Sequence, residues 1–349
     1  CNFRNNICLT QQGMASITDF VTIFIFKCYF VQNKGGVLFA IHGQKVLIQT
    51  CYFLKNTGHS GGALNLRVCH YILNVKNVVT NNKVTMSGGG IYVQSTKTFV
   101  SINNLYTLNA ASYGASIYLE VIETCIIKNS SYHQNKAING GGLHASKIAF
   151  TVVNNSSFFD NFVTGNGGGS YFTNVQELHL FYTHFEKNEA KFEGGGCVSN
   201  FIESKMQKQE VTLISNSFVN NIADDGGSAL LIRGSNIFIF HQTTIDIGIM
   251  KANSIINLHS HIISMKNIAF NDILNETLLI ESVIYYKAEY KNIKLMCPEY
   301  TYLNEKSFTF SDSRNKLQIL HRCVKCKDNY YRVKQSMNQV NAGLSDYGS

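Results

Sequence analysis

Tryptophan is absent from this sequence, proline occurs once, and only 15% of the 349 residues are charged. A single proline excludes a collagen-like or proline-rich chain, and 45% hydrophobic residues suffice to bury a core. Long apolar runs are missing too. The longest, "FVTIFIF" at 20 to 26, is bracketed by Asp19 and Lys27 and falls far short of the ~20 residues a membrane-spanning helix needs. No membrane span is expected in this segment. The net charge of +8 is scattered, with acidic neighbours in "HFEKNEAKFEG" and "ESKMQKQE". The concentrated basic stripe of a nucleic-acid binder is therefore lacking, and no nucleic-acid partner is expected. Nor does the glycine triplet of "SFFDNFVTGNGGGSYF" cradle phosphate, because the "GK[ST]" of such a loop does not follow it.

That triplet is one copy of a recurring mark. An aromatic or apolar residue followed three places later by asparagine returns at Asn6, Asn33, Asn56, Asn82, Asn109, Asn135, Asn161, Asn188 and Asn221, at spacings of 27, 23, 26, 27, 26, 26, 27 and 33. Most are followed by a glycine cluster such as "GGAL" at 61, "GGGI" at 88 or "GGGL" at 140. A catalytic loop is needed once, whereas a structural turn is needed in every repeat. Between the marks, residues alternate apolar and polar over short stretches rich in β-branched and aromatic side chains, which predicts strands. Glycine triplets disfavour helical repeats, and the leucine-rich consensus is missing. The expected fold is all-β: a right-handed parallel β-helix with coils of about 26 residues, ten to twelve in number. The asparagines are expected to form a hydrogen-bonded ladder, the aromatics an inner ring stack, and the glycines the tight corners.

The pairing of "FxxN" with "GGA[ILV]"-like clusters resembles the repeats of the chlamydial polymorphic outer-membrane proteins and of large ciliate surface proteins with pectin-lyase-like β-helices. The resemblance runs from Phe3 to about Ile232 and implies extracellular adhesion or surface display. Further on, "CPEYTYLNEKSFTFSDSRNKLQILHRCVKCKDNYYRV" resembles the cysteine-rich modules of growth-factor-receptor-like proteins, with Glu299, Tyr300 and Asn329 where glycines are usual. The expected organisation is a β-helix over 1–288, a small Cys-rich module over 289–335 and a flexible tail or linker over 336–349. Degenerate coils are expected around "IINL" at 255 and "LLIE" at 278, and a protruding polar loop at 203 to 210. Because the sequence opens on Cys1 in mid-coil, it reads as a piece of a longer protein.

Cys1, Cys28 and Cys51 each stand two residues before the ladder aromatic in three successive coils. Stacked Cα atoms about 4.8 Å apart fall in the disulfide range, so these three are disulfide candidates, the alternative being thiols that fill a core column. Cys297, Cys323 and Cys326 are further disulfide candidates; with His321 they also have zinc-site spacing, but the disulfide reading is favoured. N-glycosylation sequons stand at Asn129, Asn154, Asn155 and Asn275. Asn129 and Asn155 share one coil register, so both should be exposed or neither.

Polysaccharide-cleaving β-helices need carboxylates that converge on one sugar bond. No acidic column is in register here: Asp160 stands alone in its column, and Asp224 and Asp225 read as a solvated turn. His259 and His261 lack a third metal ligand, and no nucleophile motif is recognisable. No cofactor, metal or catalytic residue is expected. One column does suggest recognition. If Leu64, Ile91, Ile117 and Leu143 point inward, the next position faces out, and it holds Tyr92, Tyr118, His144 and Tyr171 in successive coils. These four are the expected ligand-facing stripe for a glycan or surface protein. The expected function is a non-enzymatic extracellular or cell-surface scaffold, with a polysaccharide lyase or hydrolase and a filament protomer that self-associates end to end as alternatives.

Overall fold

The computed structural model describes residues 1–8, 13–201, 209–246, 255–271, 275–295, 301–311, 316–325 and 340–342, with side chains up to Asn271 apart from His259 and His261. Among the described residues there is no helix; the strands wind into a parallel β-solenoid of about ten turns. Residues 91–116 show how one coil is made. The strand Ile91–Ile102 is bent in its middle at Ser95, whose φ is 52°. Left-handed Asn103 turns the chain into the short strand Leu105–Thr107, and left-handed Leu108 turns it again at the ladder residue Asn109. The coil closes at a glycine corner. Gly114 has φ +56°, and at the preceding corner a Cβ on Gly89 would overlap the carbonyl of Ala115 in the coil above, so glycine lets the backbones approach there.

Stacking keeps strict register: Ile91 pairs with Leu64 on one side and with Ile117 on the other, and Ile117 in turn with Leu143. Leu64, Leu66, Ile91, Val93, Ile117, Leu119, Leu143 and Ala145 are all fully buried, as the alternation requires. The aromatic column runs alongside. Tyr106, Tyr132, Phe158, Phe185 and Phe218 stack with ring centroids 4.5 to 4.9 Å apart. Each coil thus buries the face its neighbour leaves open, which makes stability nearly additive in coils.

The asparagine ladder is continuous from Asn6 to Asn221. At Asn135 both the backbone N–H and Nδ2 donate to Oδ1 of Asn161, at 3.0 and 2.9 Å. Nδ2 donates also to the Tyr106 carbonyl at 3.3 Å, while Oδ1 accepts from the backbone N–H and Nδ2 of Asn109 at 2.9 and 3.2 Å. One buried amide therefore serves three coils with nothing left unpaired.

A second polar ladder, not expected from the sequence, runs up the preceding corner through Cys28, Cys51, Asn77, Asn104, Ser130 and Ser156, and further on through Thr183 and Asn216. From Cys51 to Ser156, and again at Asn216, the side chain accepts a bond from the backbone N–H below it: Cys51 N–H donates to Asn77 Oδ1 at 2.7 Å, Asn77 N–H to Asn104 Oδ1 at 2.7 Å, Asn104 N–H to Ser130 Oγ at 3.2 Å, Ser130 N–H to Ser156 Oγ at 3.2 Å and Thr183 N–H to Asn216 Oδ1 at 2.9 Å. The cysteine column belongs to it. Cys28 N–H donates to Cys51 Sγ at 3.5 Å, so sulfur stands where later coils place an amide or hydroxyl oxygen. Cys1, Cys28 and Cys51 are free thiols here, not the disulfide-linked set the spacing allowed.

The coil with the 33-residue spacing breaks its long strand into Cys197–Asn200 and Glu210–Ile214, at the place where other coils have the left-handed bend. Of the expected loop at 203 to 210, residues 203–208 lie outside the described residues. Gln209 is buried, its Nε2 donating to the Val175 carbonyl at 3.0 Å, and Glu210 already begins the strand. Towards the C-terminus, Asn275–Leu295 pairs in parallel with Ile256–Lys266 and so crosses the boundary expected at 288. Its free edge takes Lys316–Lys325 in antiparallel pairing. Cys297 and Cys326 lie outside the described residues, as do the side chains of Cys323, His321, His259, His261 and Asn275.

A polar knot sits in the interior around Tyr106. Tyr106 OH accepts from Asn74 Nδ2 at 2.6 Å and lies 3.1 Å from Ser101 Oγ. Tyr132, stacked directly on it, is equally buried, but its OH has no partner. The Tyr106 hydroxyl offsets its burial and the Tyr132 hydroxyl does not. Tyr106→Phe should therefore lower stability by about 1 kcal/mol, while Tyr132→Phe should leave it unchanged or raise it by up to about 2 kcal/mol, read as denaturant midpoints. Replacing Asn135 or Asn161 by leucine breaks four bonds in two neighbouring coils at once, and chemical denaturation should show a loss of at least about 3 kcal/mol. An unchanged midpoint would mean that the ladder does not hold the coils together.

Candidate functional site

The ring column forms as a register-true stack. Tyr92 pairs with Tyr118, Tyr118 with His144 and His144 with Tyr171. Tyr92 and Tyr118 are parallel at 5.5 Å; His144 tilts against Tyr118 at 4.9 Å and meets Tyr171 edge-on at 5.0 Å. The expectation of a flat, outward stripe needs correction, because Tyr92 is 8% and His144 7% exposed. Tyr113, on the adjacent corner, lies edge-on over the His144 ring at 5.8 Å, while Tyr92 is covered by the Arg67 side chain and the stacked Tyr118. Tyr118 and Tyr171 remain half-buried and keep an open side.

Beside the rings the next outward position carries Arg67, Gln94 and Glu120. The Arg67 guanidinium lies over the Tyr92 ring at 5.1 Å and over Phe39 at 5.7 Å, and its Nε donates to Asn65 Oδ1 at 3.0 Å. Gln94 Nε2 donates to Glu120 Oε2 at 3.1 Å. Burial, with Glu120, Tyr92 and Tyr113 nearby, pushes the Tyr118 phenol up to about 12. Burial raises Tyr92 as well, while Arg67 partly counters it. At neutral pH the phenols stay protonated donors, flanked by one cation and one carboxylate.

Across the strand bend from this polar row, a groove of about 550 Å³ runs over successive coils. Lys97, Glu123, Lys147, Asn174 and Gln176 supply its polar lining, and Phe201 closes one end. Rings, polar row and groove together form one continuous outward strip beside the left-handed bends. Its chemistry suits hydrogen bonding and ring stacking with an extended polar chain. Glu123 is the groove's one carboxylate, whereas glycosidic cleavage needs a pair. Among the described residues no three His, Cys, Asp or Glu side chains gather as a metal site. Asp160 accepts a bond from Gln134 at 3.0 Å on the surface, and Asp224 stands 4.0 Å from Lys191.

Three of the sequon asparagines, Asn129, Asn154 and Asn155, share one corner. Asn129 and Asn155 are both exposed and both left-handed, at φ 49° and 47°, and Asn155 Nδ2 donates to Asn129 Oδ1 at 2.9 Å. Asn154 is half-buried beside them. The polar row, the groove and the covering corner were missed in the sequence; the left-handed bend that creates the groove shows no constant residue, reading Val68, Ser95, Val121, Lys147 and Asn174. Comparison with protein-family models, curated proteins and solved structures finds no match to this chain. No helix among the described residues is long and apolar enough to cross a membrane.

Burial holds the His144 imidazole down to about 4, and its Nδ1 has no hydrogen-bond partner. The folded pKa lies below the ordinary ~6.5, so an unfolded chain takes up a proton that the folded one refuses. Stability from this residue is complete above pH 6.5 and falls as the pH drops towards 4, by roughly 3 kcal/mol. His144→Phe should flatten that part of the pH profile in thermal melts at pH 7 and 4.5. An unchanged acid dependence would show that another group controls it.

Proposed function

We propose that this chain is a non-enzymatic scaffold of a larger extracellular or cell-surface protein, presenting the outward strip of its long sheet to a glycan or a surface protein. The continuous alignment of Tyr118, Tyr171, the Arg67–Gln94–Glu120 row and the groove across successive coils carries this reading. A ligand with its own repeat would meet the same kind of contact at each coil, and weak single contacts would add. The resemblance of the repeats to polymorphic outer-membrane and ciliate surface proteins supports display outside the cell. The exposed sequon corner at Asn129 and Asn155 agrees with it. Among the alternatives, cleavage of a polysaccharide would require a second carboxylate facing Glu123. End-to-end stacking would have to use an edge other than the one taken by Lys316–Lys325.

The burial of Tyr92 decides how the reading is tested, since changing it would disturb the stack itself. Tyr118→Ser and Tyr171→Ser, combined with Glu120→Gln, should weaken binding to glycan arrays or to cells at least about tenfold while the circular-dichroism spectrum and melting temperature hold. Undiminished binding by that variant would remove the strip from consideration and with it this reading.

A further inference from the structure

The second half of each long strand presents another outward face, separated from the ring strip by the left-handed bend. Its central column is apolar over six successive coils: Phe24, Leu47, Leu73, Val100, Ile126 and Val152, each paired with the next. Phe24 is 59% exposed and the rest, flanked above and below by their own column, are mostly half-buried. Valine, leucine and isoleucine on both faces of a sheet are the pattern of a sheet covered on both sides. Here the inward face fills the solenoid, and the outward face has no covering element among the described residues.

The charges at the edge of this face select its occupant. The column beside the apolar one reads Thr22, Lys45, Tyr71, Thr98, Thr124, Phe150, Glu177 and Glu210, coil by coil. Lysine stands near one end and glutamates near the other. A two-fold axis along the strands, placed between the coils of Thr98 and Thr124, reverses the coil order and brings this column against itself. Lys45 of one copy then meets Glu177 of the other, Tyr71 meets Phe150, and Thr98 meets Thr124. In the apolar column the same operation sets Leu73 against Val152 and Val100 against Ile126, with Leu47 against His179 and Phe24 against Thr212 at the ends. The column is thus complementary to its own reverse, as an isologous contact demands.

The dimensions agree. Eight coils at about 4.8 Å by five residues at about 3.3 Å give a face on the order of 600 Å², close to the ~800 Å² of accessible surface that a standard interface buries per partner. The two-fold also leaves the strands of the facing sheets aligned, the usual way two sheets pack.

We infer that this chain forms a face-to-face dimer with a second copy of itself through the outward face of its long sheet, in register about the Thr98–Thr124 coils and with Lys45 paired to Glu177 across the interface. The rings and the Arg67–Gln94–Glu120 row lie on the other side of the bend and stay open, while the groove at the bend borders the dimer face, so the dimer would present two ring rows. This inference does not depend on the ligand-binding reading and can fail separately from it.

The test is sedimentation equilibrium of the full chain with charge-swapped variants. The wild type should dimerise, and Lys45→Glu or Glu177→Lys should each weaken dimerisation about tenfold, because each change acts twice across the two-fold. The double variant K45E/E177K should recover wild-type affinity, a result that damage to the fold would not give. Val100→Asp should give a monomer, and circular dichroism shows whether its coils remain intact. A wild type that stays monomeric at tens of micromolar, or a double variant as weak as the singles, overturns the proposal. So does dimerisation indifferent to all four variants.

Discussion

Everything in this molecule hangs on one side-chain amide per coil. A buried asparagine that bonds only within its own coil would leave part of its donor and acceptor capacity unmet, at a cost comparable to what its burial gains. The ladder removes that cost by making each amide the partner of the next, so that Asn135 is satisfied only because Asn109 and Asn161 are in place. The bonding also fixes the register, since a slip by one residue would put the amide out of reach and turn every core side chain of the strand outward. Coil length is held near 26 residues for the same reason. Where a coil is longer, the surplus is pushed into the strand bend between Asn200 and Glu210 and the ladder from Asn188 to Asn221 stays closed.

The ladder has a backbone condition attached. Each ladder asparagine is preceded by a left-handed residue, among them Lys55, Leu108, Gln134 and Lys187, whose φ values fall between 52° and 56°. Such a conformation costs a non-glycine residue on the order of 1 kcal/mol. Within the long strand the condition reaches even Val68 and Val121, for which it is least favourable. That these positions hold lysine, leucine or valine at all shows how far stacking over-determines them: the coil above and the coil below set the backbone, and the local residue complies. The position is outward, so its side chain is free to vary. Asn129 and Asn155, the sequon asparagines, occupy the equivalent place at the preceding corner.

How much of this could be read from the sequence follows from which contacts repeat one residue type. The ladder, the glycine corners and the core columns at Leu64, Ile91, Ile117 and Leu143 were legible because each requires one kind of side chain in every coil. The second ladder was not, since sulfur, amide and hydroxyl all accept a backbone N–H there, and Cys51, Asn77 and Ser130 share no feature that a sequence pattern detects. The ring column was legible in its register but not in its exposure. Alternation correctly put Tyr92 and His144 on the outer side of the sheet, yet outward is not the same as open: the corner that carries Tyr113 leans over His144, and Arg67 lies over Tyr92. Such covering depends on the path of a turn, which strand periodicity does not encode.

The same distinction separates the two outward faces of the long sheet. On the ring side, the Tyr113 corner covers His144 and Arg67 covers Tyr92, so what remains open is a narrow strip of polar groups and ring edges. On the far side no corner folds over among the described residues, and within its own coil the apolar column from Phe24 to Val152 gains little beyond the Phe24–Phe26 ring contact. A side chain in that column is sheltered chiefly by the copies above and below it, a contact set by the solenoid repeat and not by complementary shape. Complementarity must come from outside, and the lengthwise asymmetry of charge from Lys45 to Glu177 and Glu210 restricts what can supply it, because only a partner with the reversed order matches both ends. The ring row and the far face therefore divide one sheet, the first offering polar contact along the coils and the second apolar area across them, with the groove at the left-handed bend between the two.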